Sequence, residues 1–193
     1  MSAAPMESRR RAGFGVFAEC LLTGVWIALA SLPVVTAPAA FAAGARHLRR
    51  RLTGRSGGWR EFLADLRSAV RHGWLVGAAG VAACAAVWID LLVARAGLPG
   101  GRAAAAVGLF ALLAAAVAVL RAAAVWTPGA AWRSLLGAAA RRTVRGPGGS
   151  FLLVCGIAVT VLCAGFVPPL AVPVLGVLTA AAVAVEERGR TTS

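Results

Sequence analysis

Residues 150–185 read SFLLVCGIAVTVLCAGFVPPLAVPVLGVLTAAAVAV, 36 residues without one charged side chain. A single helix of that length would measure about 54 Å, against a bilayer hydrocarbon core of about 30 Å. Pro168-Pro169 divides the run into two segments, 151–167 and 170–185, each near the length of a membrane crossing. The stretch therefore predicts a pair of membrane helices joined by a sharp turn. A polar tail, Glu186 to Ser193, follows them.

The same pattern extends toward the N-terminus. Residues 73–94 and 103–126 are two further apolar spans. The loop between them holds Gly97, Pro99, Gly100 and Gly101, residues that favour a tight reversal. The first apolar run, 14–32, has 19 residues and would span about 28 Å. It follows Arg9-Arg10-Arg11, and Ala28-Leu29-Ala30 gives it the outline of a cleavable signal peptide as well as of a first span. Pro33 and Pro38 break the helix there. A short segment, 33–48, then runs back over 16 residues, about 24 Å, either crossing or re-entering from the same side. The expected fold class is all-α: a polytopic transmembrane helix bundle forming one membrane domain over 1–193.

Two segments between the apolar runs are amphipathic. In 59–72, Trp59, Phe62, Leu63, Leu66 and Val70 recur at helical spacing, with Arg60, Glu61, Asp65, Arg67 and Arg71 on the other face. In 130–145 a weaker stripe of Trp132, Leu135, Leu136 and Ala139 adjoins Arg133, Arg141 and Arg142. Both are expected as surface helices on the cytoplasmic side, with Trp59, Arg60, Phe62, Leu63, Leu66, Arg67, Val70 and Arg71 touching a membrane that carries anionic lipid.

Composition fits this reading. Hydrophobic residues make up 60% and charged residues 14% of the chain, too little polar surface for a water-soluble domain of this size. The net charge is +13, and all 20 basic residues are arginine. With six segments and the N-terminus inside, 17 arginines fall inside, Arg95 and Arg102 fall outside, and Arg121 lies within the fourth segment. That asymmetry is the positive-inside signature of a multi-pass protein whose two termini are both cytoplasmic. It also argues against nucleic acid as the partner of the basic residues, since they border membrane segments.

Catalytic signatures do not emerge from the chain. Cys20, Cys84, Cys155 and Cys163 sit in apolar runs, and His47 and His72 lie far from them, so the spacing fits no metal site. Gly146-Pro147-Gly148-Gly149 lacks the strand and lysine of a phosphate loop. No cofactor and no enzymatic activity are expected. Glu19 and Arg121 are the ionisable groups placed inside spans at similar depth, about 7–8 Å from the inner ends, and an intramembrane ion pair between them is expected. Gly73, Gly77 and Gly80 put small residues on one helix face, permitting close helix contact within the chain or between copies.

The stretch Ser31-Leu32-Pro33-Val34-Val35-Thr36-Ala37-Pro38-Ala39-Ala40, followed by a basic segment and Trp59-Arg60-Glu61-Phe62-Leu63-Ala64-Asp65-Leu66, resembles the YesL-like family of bacterial membrane proteins, a domain of unknown function. The resemblance covers residues 14–95 best. The chain departs from the family pattern in lacking a Gly before Pro38 and in having Thr23-Gly24-Val25-Trp26 where a polar Asn often precedes the aromatic. Members are often encoded beside carbohydrate uptake systems. The resemblance thus implies an accessory or scaffold protein of the bacterial cytoplasmic (inner) membrane that serves a sugar transporter complex. A small transporter or channel is the alternative; the break at Pro33 and Pro38 favours it.

Overall fold

The computed structural model describes residues 19–53 and 58–191. Arg9-Arg10-Arg11 and the start of the first segment lie outside them, as does Arg55. The described residues form helices and turns only: α1 (Glu19–Ala30), a 3-10 turn (Val34–Thr36), α2 (Ala37–Leu52), α3 (Trp59–Arg95), α4 (Gly101–Val125), α5 (Trp132–Arg145), α6 (Pro147–Phe166) and α7 (Pro168–Thr191). Four stretches are long and apolar enough to cross a membrane: Gly73–Arg95, Gly101–Val125, Pro147–Phe166 and Pro169–Arg188. The chain is an all-α membrane protein.

Each reversal has a local cause. Gly97 and Gly100, with φ of 75° and 80°, supply the left-handed backbone that turns α3 into α4. Proline opens α6 and α7 and stands at the start of α2, positions where its missing N–H is no loss. The helices pack through small residues. A side chain at Gly24 of α1 would collide with the Val172 carbonyl of α7, and one at Gly176 with the Cys20 carbonyl. Those two backbones are in direct contact.

The short second segment expected at 33–48 is α2, and the hairpin that it forms with α1 does not match the other hairpins in reach. Its tip lies against α3, where a Cβ on Gly77 would overlap the Val35 carbonyl. Gly77 is 18 residues before the end of α3 at Arg95, so the hairpin stops about 27 Å short of the far end of that helix. On the other side Ala37, Pro38 and Phe41 line one depression together with Ala116, Val119 and Leu120 of α4 and Ile157, Thr160 and Val161 of α6, part-way along both. Leu32 and Val34 at the tip are 76% and 66% exposed, so it presents apolar side chains outward. Its backbone is satisfied from within. The Thr36 hydroxyl shares its proton between the carbonyls of Ala30 (2.5 Å) and Pro33 (2.7 Å), and the Ser31 N–H donates to the Ile27 carbonyl at 2.8 Å.

One expectation is corrected. Residues 59–72 are not a separate surface helix. They continue into the span as a single 37-residue helix, α3. A lone glycine such as Gly73 costs about 1 kcal/mol relative to alanine but does not stop a helix, and no proline stands near. The apolar face is covered by protein rather than by membrane. Phe62 and Ala69 are wholly buried, Phe62 lies 5.3 Å from the ring of Trp26, and Leu66 and Val70 pack on the core around Trp126 and Trp132. The second amphipathic segment does form a helix, α5, and its stripe also turns inward: Trp132 is 3% exposed and Ala139 fully buried.

Gly77→Val should therefore lower stability in detergent by about 1–3 kcal/mol or more, because the obstacle is a backbone carbonyl and not a movable side chain. Gly80 meets nothing within 4 Å of a built Cβ. Gly80→Val should change stability by less than about 0.5 kcal/mol. Thermal unfolding of both variants checks this, and equal losses would contradict docking of the hairpin tip on α3.

Candidate functional site

The polar chemistry of the bundle gathers at one end. One end of each of the seven described helices meets there, because charged side chains cross from one to the next. Every described arginine other than Arg95 and Arg102 belongs to this end. Three carboxylate-centred clusters compose it.

The first joins α1 to α2. Glu19 lies 3.3 Å from Arg51 and 3.6 Å from the Nε2 of His47. His47 is 1% exposed, and the Trp26 ring meets it edge-on at 4.9 Å. An antiparallel hairpin explains the meeting. Ile27 covers Gly44 near the tip, which brings the start of α1 level with the end of α2.

The second cluster joins α2 to α3. Asp65 receives Arg46 at 2.6 Å and Arg50 at 3.1 Å, and Arg50 also reaches Glu61 at 3.3 Å. Asp65 is 5% exposed. Burial raises its carboxyl above the ordinary value although Arg46 and Arg50 pull it down. The two guanidinium groups thus repay only part of the cost of burying the charge. Beside this cluster Arg49 donates to the Trp126 carbonyl at 2.6 Å, tying the end of α2 to the end of α4.

The third cluster joins α4, α5, α6 and α7. Arg121 is 5% exposed and Glu186 6%. Arg121 lies 3.5 Å from Glu186, and its Nη2 donates to the Gly146 carbonyl and to the Ser150 hydroxyl oxygen, both at 3.2 Å. Arg142 completes the group by pairing with the other oxygen of Glu186. The guanidinium reaches the first turn of α6: a Cβ at Gly149 would come within 2.8 Å of its Nη2. A helix N-terminus repels a cation, so Glu186 offsets two unfavourable neighbours of Arg121, the α6 dipole and Arg142.

The expected pair of Glu19 with Arg121 does not form. Depth along a helix was legible in the sequence, but the direction around it was not. Glu19 faces α2, whereas Arg121 faces α5, α6 and α7. The true partner, Glu186, begins the stretch read as a polar tail. The sequence did carry one signal for it, because α7 continues without a breaker through Glu186 to Thr191.

The residues expected to touch membrane divide in two. Arg60, Arg67 and Arg71 are exposed, Trp59 is 44% exposed and Leu63 is half-buried, while Phe62, Leu66 and Val70 belong to the interior. Pro33 and Pro38 do mark the break, flanking the 3-10 turn. Of the glycine stripe, Gly73 accommodates the Trp132 indole, whose Nε1 donates to the Ala69 carbonyl at 3.3 Å, and Gly77 accommodates the hairpin tip. Both serve packing inside the chain.

Chemically this is a cross-braced layer with more guanidinium than carboxylate. No group of three or more metal-ligating His, Cys, Asp or Glu side chains occurs among the described residues. The surplus arginines Arg60, Arg67, Arg71, Arg133 and Arg141 are exposed, an arrangement suited to an anionic surface.

A double-mutant cycle follows from this pairing. Glu186→Gln should destabilise the protein by about 3–5 kcal/mol, since it leaves Arg121 buried without its counter-charge. Adding Arg121→Gln should recover part of that loss, whereas Glu19→Gln and Arg121→Gln should be additive within about 0.5 kcal/mol. Thermal unfolding in detergent measures both cycles, and coupling between Glu19 and Arg121 would contradict the observed partners. Comparison of the chain with protein-family models, with curated proteins and with solved structures gives no match.

Proposed function

We propose that this chain is a non-enzymatic accessory or scaffold protein of the bacterial cytoplasmic membrane, YesL-like in kind, with both termini inside. In this reading its arginine end meets the anionic lipid of the inner leaflet, and its apolar flanks meet a sugar transporter. One observation carries the reading: the buried and half-buried charged side chains at the arginine end brace helix against helix, while the depression part-way along the bundle is walled by apolar groups. Arg121, Glu186, Asp65, Arg46 and Arg49 all join different helices. Such bracing suits a rigid platform.

The broken hairpin favours the second reading, a small transporter, because transporters often bind substrate where helices are interrupted. At this break, however, the neighbouring cavity offers a single hydroxyl, Thr160, and that hydroxyl already donates to the Gly156 carbonyl at 2.8 Å. A sugar or an ion would find on those walls one hydroxyl oxygen and otherwise only apolar side chains.

Purification of the full chain from its native membranes, without stripping lipid, separates the two readings. A stoichiometric multi-pass transporter should accompany it. The purified chain alone in phosphatidylglycerol-containing liposomes should leave sugar and ion flux at the background rate. Flux from the protein alone would overturn the accessory role.

A further inference from the structure

His47 is a histidine enclosed by protein at the α1–α2 joint. It is 1% exposed, yet neither ring nitrogen has a hydrogen-bond partner. The Oε2 of Glu19 stands 3.6 Å from its Nε2, beyond hydrogen-bond distance, and that oxygen is itself buried without a partner. Leaving polar atoms buried and unpaired is costly, so two such atoms side by side call for an explanation.

The Glu19 carboxylate faces two ways. Its Oε1 meets Arg51 at 3.3 Å, its side chain is 28% exposed, and its Oε2 turns inward to the imidazole. A proton arriving at the exposed side thus has a carboxylate to carry it toward Nε2. The charged groups that act on His47 are Glu19 from α1, Arg50 and Arg51 from its own helix, and Asp65 from α3. α4 and α7 also pack on α2, and their Arg121 and Glu186 face each other. Glu19 already serves Arg51, and Asp65 already serves Arg46 and Arg50. An imidazolium would be a further cation in a joint whose carboxylates are taken. α2 lies outside the four crossing stretches. Burial holds its imidazole below the ordinary value of 6.5; Arg51 and Arg50 add to the effect, and Glu19 opposes it.

We propose that His47 and Glu19 form a proton-operated latch: a neutral imidazole keeps α1 closed on α2, and a proton on it loosens the hairpin. Above 6.5 the imidazole is neutral in both the closed and the opened chain, and the joint has its full strength. As pH falls below 6.5 the opened chain takes up a proton that the closed joint refuses, so closure weakens until the buried ring is itself protonated. Within that window each pH unit raises the open fraction by up to about tenfold. The latch is independent of whether the chain serves a transporter.

The test uses the full-length protein in detergent, between about pH 8 and about pH 5. The Tm of the wild type should fall as pH drops below 6.5. His47→Gln should remove that part of the fall, and His72→Gln, at the chain's other histidine, should keep it. Hydrogen exchange, corrected for the intrinsic effect of pH, should show protection lost in α2 of the acidified wild type and retained in His47→Gln. Should His47→Gln fail to fold, NMR titration of isotope-labelled histidine in the wild type and in His72→Gln decides instead. The His47 midpoint should lie below 6.5, and Glu19→Gln should lower it further by removing a group that favours the charged ring. A midpoint at or above 6.5, one pH profile shared by wild type and His47→Gln, or protection in α2 unmoved by acid overturns the latch.

Discussion

Arg121 is a cation enclosed by protein near the end of a helix that has no charged side chain from Ala103 to Leu120. A buried guanidinium without partners would cost several kcal/mol, so the chain has to bring acceptors to it from elsewhere. It brings Glu186 from α7, the Gly146 carbonyl and Ser150 from α6, and it draws Arg142 of α5 against the same carboxylate. Four helices are thereby fixed in register at one end. Apolar helices in lipid have little to choose between sliding positions, because lipid tails are as apolar as leucine. The polar end supplies the register that hydrophobic packing does not.

A second constraint governs the hairpin. Within an apolar medium each backbone N–H and carbonyl needs an internal partner. A six-residue interruption between α1 and α2 would strand several of them. Thr36 meets part of that need by serving the Ala30 and Pro33 carbonyls, and the 3-10 turn meets more through the Thr36 N–H bond to Pro33. Pro33 and Pro38 remove two donors outright. The Leu-Pro-Val-Val-Thr-Ala-Pro sequence is thus a means of ending a helix pair inside the bundle, against Gly77, with few unpaired groups.

These two constraints explain what was legible in the sequence. Length and hydropathy are one-dimensional, and they located the spans after residue 73 to within a few residues, together with the break at Pro33 and Pro38. Arginine placement is also one-dimensional, and it sorts the helix ends as the structure does, with Arg95 and Arg102 at the far end. Partnership is not. Whether Glu19 faces Arg121 or His47 depends on rotation about α1 and on which helix lies beside it. The amphipathic stripe of 59–72 was equally silent about its neighbour. Phe62 pairs with Trp26 from a different helix, so the stripe found a protein partner where a membrane surface was expected. The same is true of Trp132, which fills the notch left by Gly73.

The distribution of charge carries the argument one step further. Glu19, Glu61, Asp65 and Glu186 are each matched by at least one arginine, and Asp65 and Glu186 by two. The inner arginines are spent on holding helices together. The outer ones, Arg60, Arg67 and Arg71, lie on the exposed face of α3, which turns apolar at Trp74 and Leu75. A helix that changes from arginine to tryptophan and leucine within one turn marks the depth at which headgroups give way to hydrocarbon. The N-terminal part of α3 must then rise above that boundary, since α3 is continuous. From Arg60 to Trp74 the rise is about 21 Å. A polar layer about that tall is stiffened by its own ion pairs, which hold the helix ends fixed against one another beyond the apolar part of the bundle.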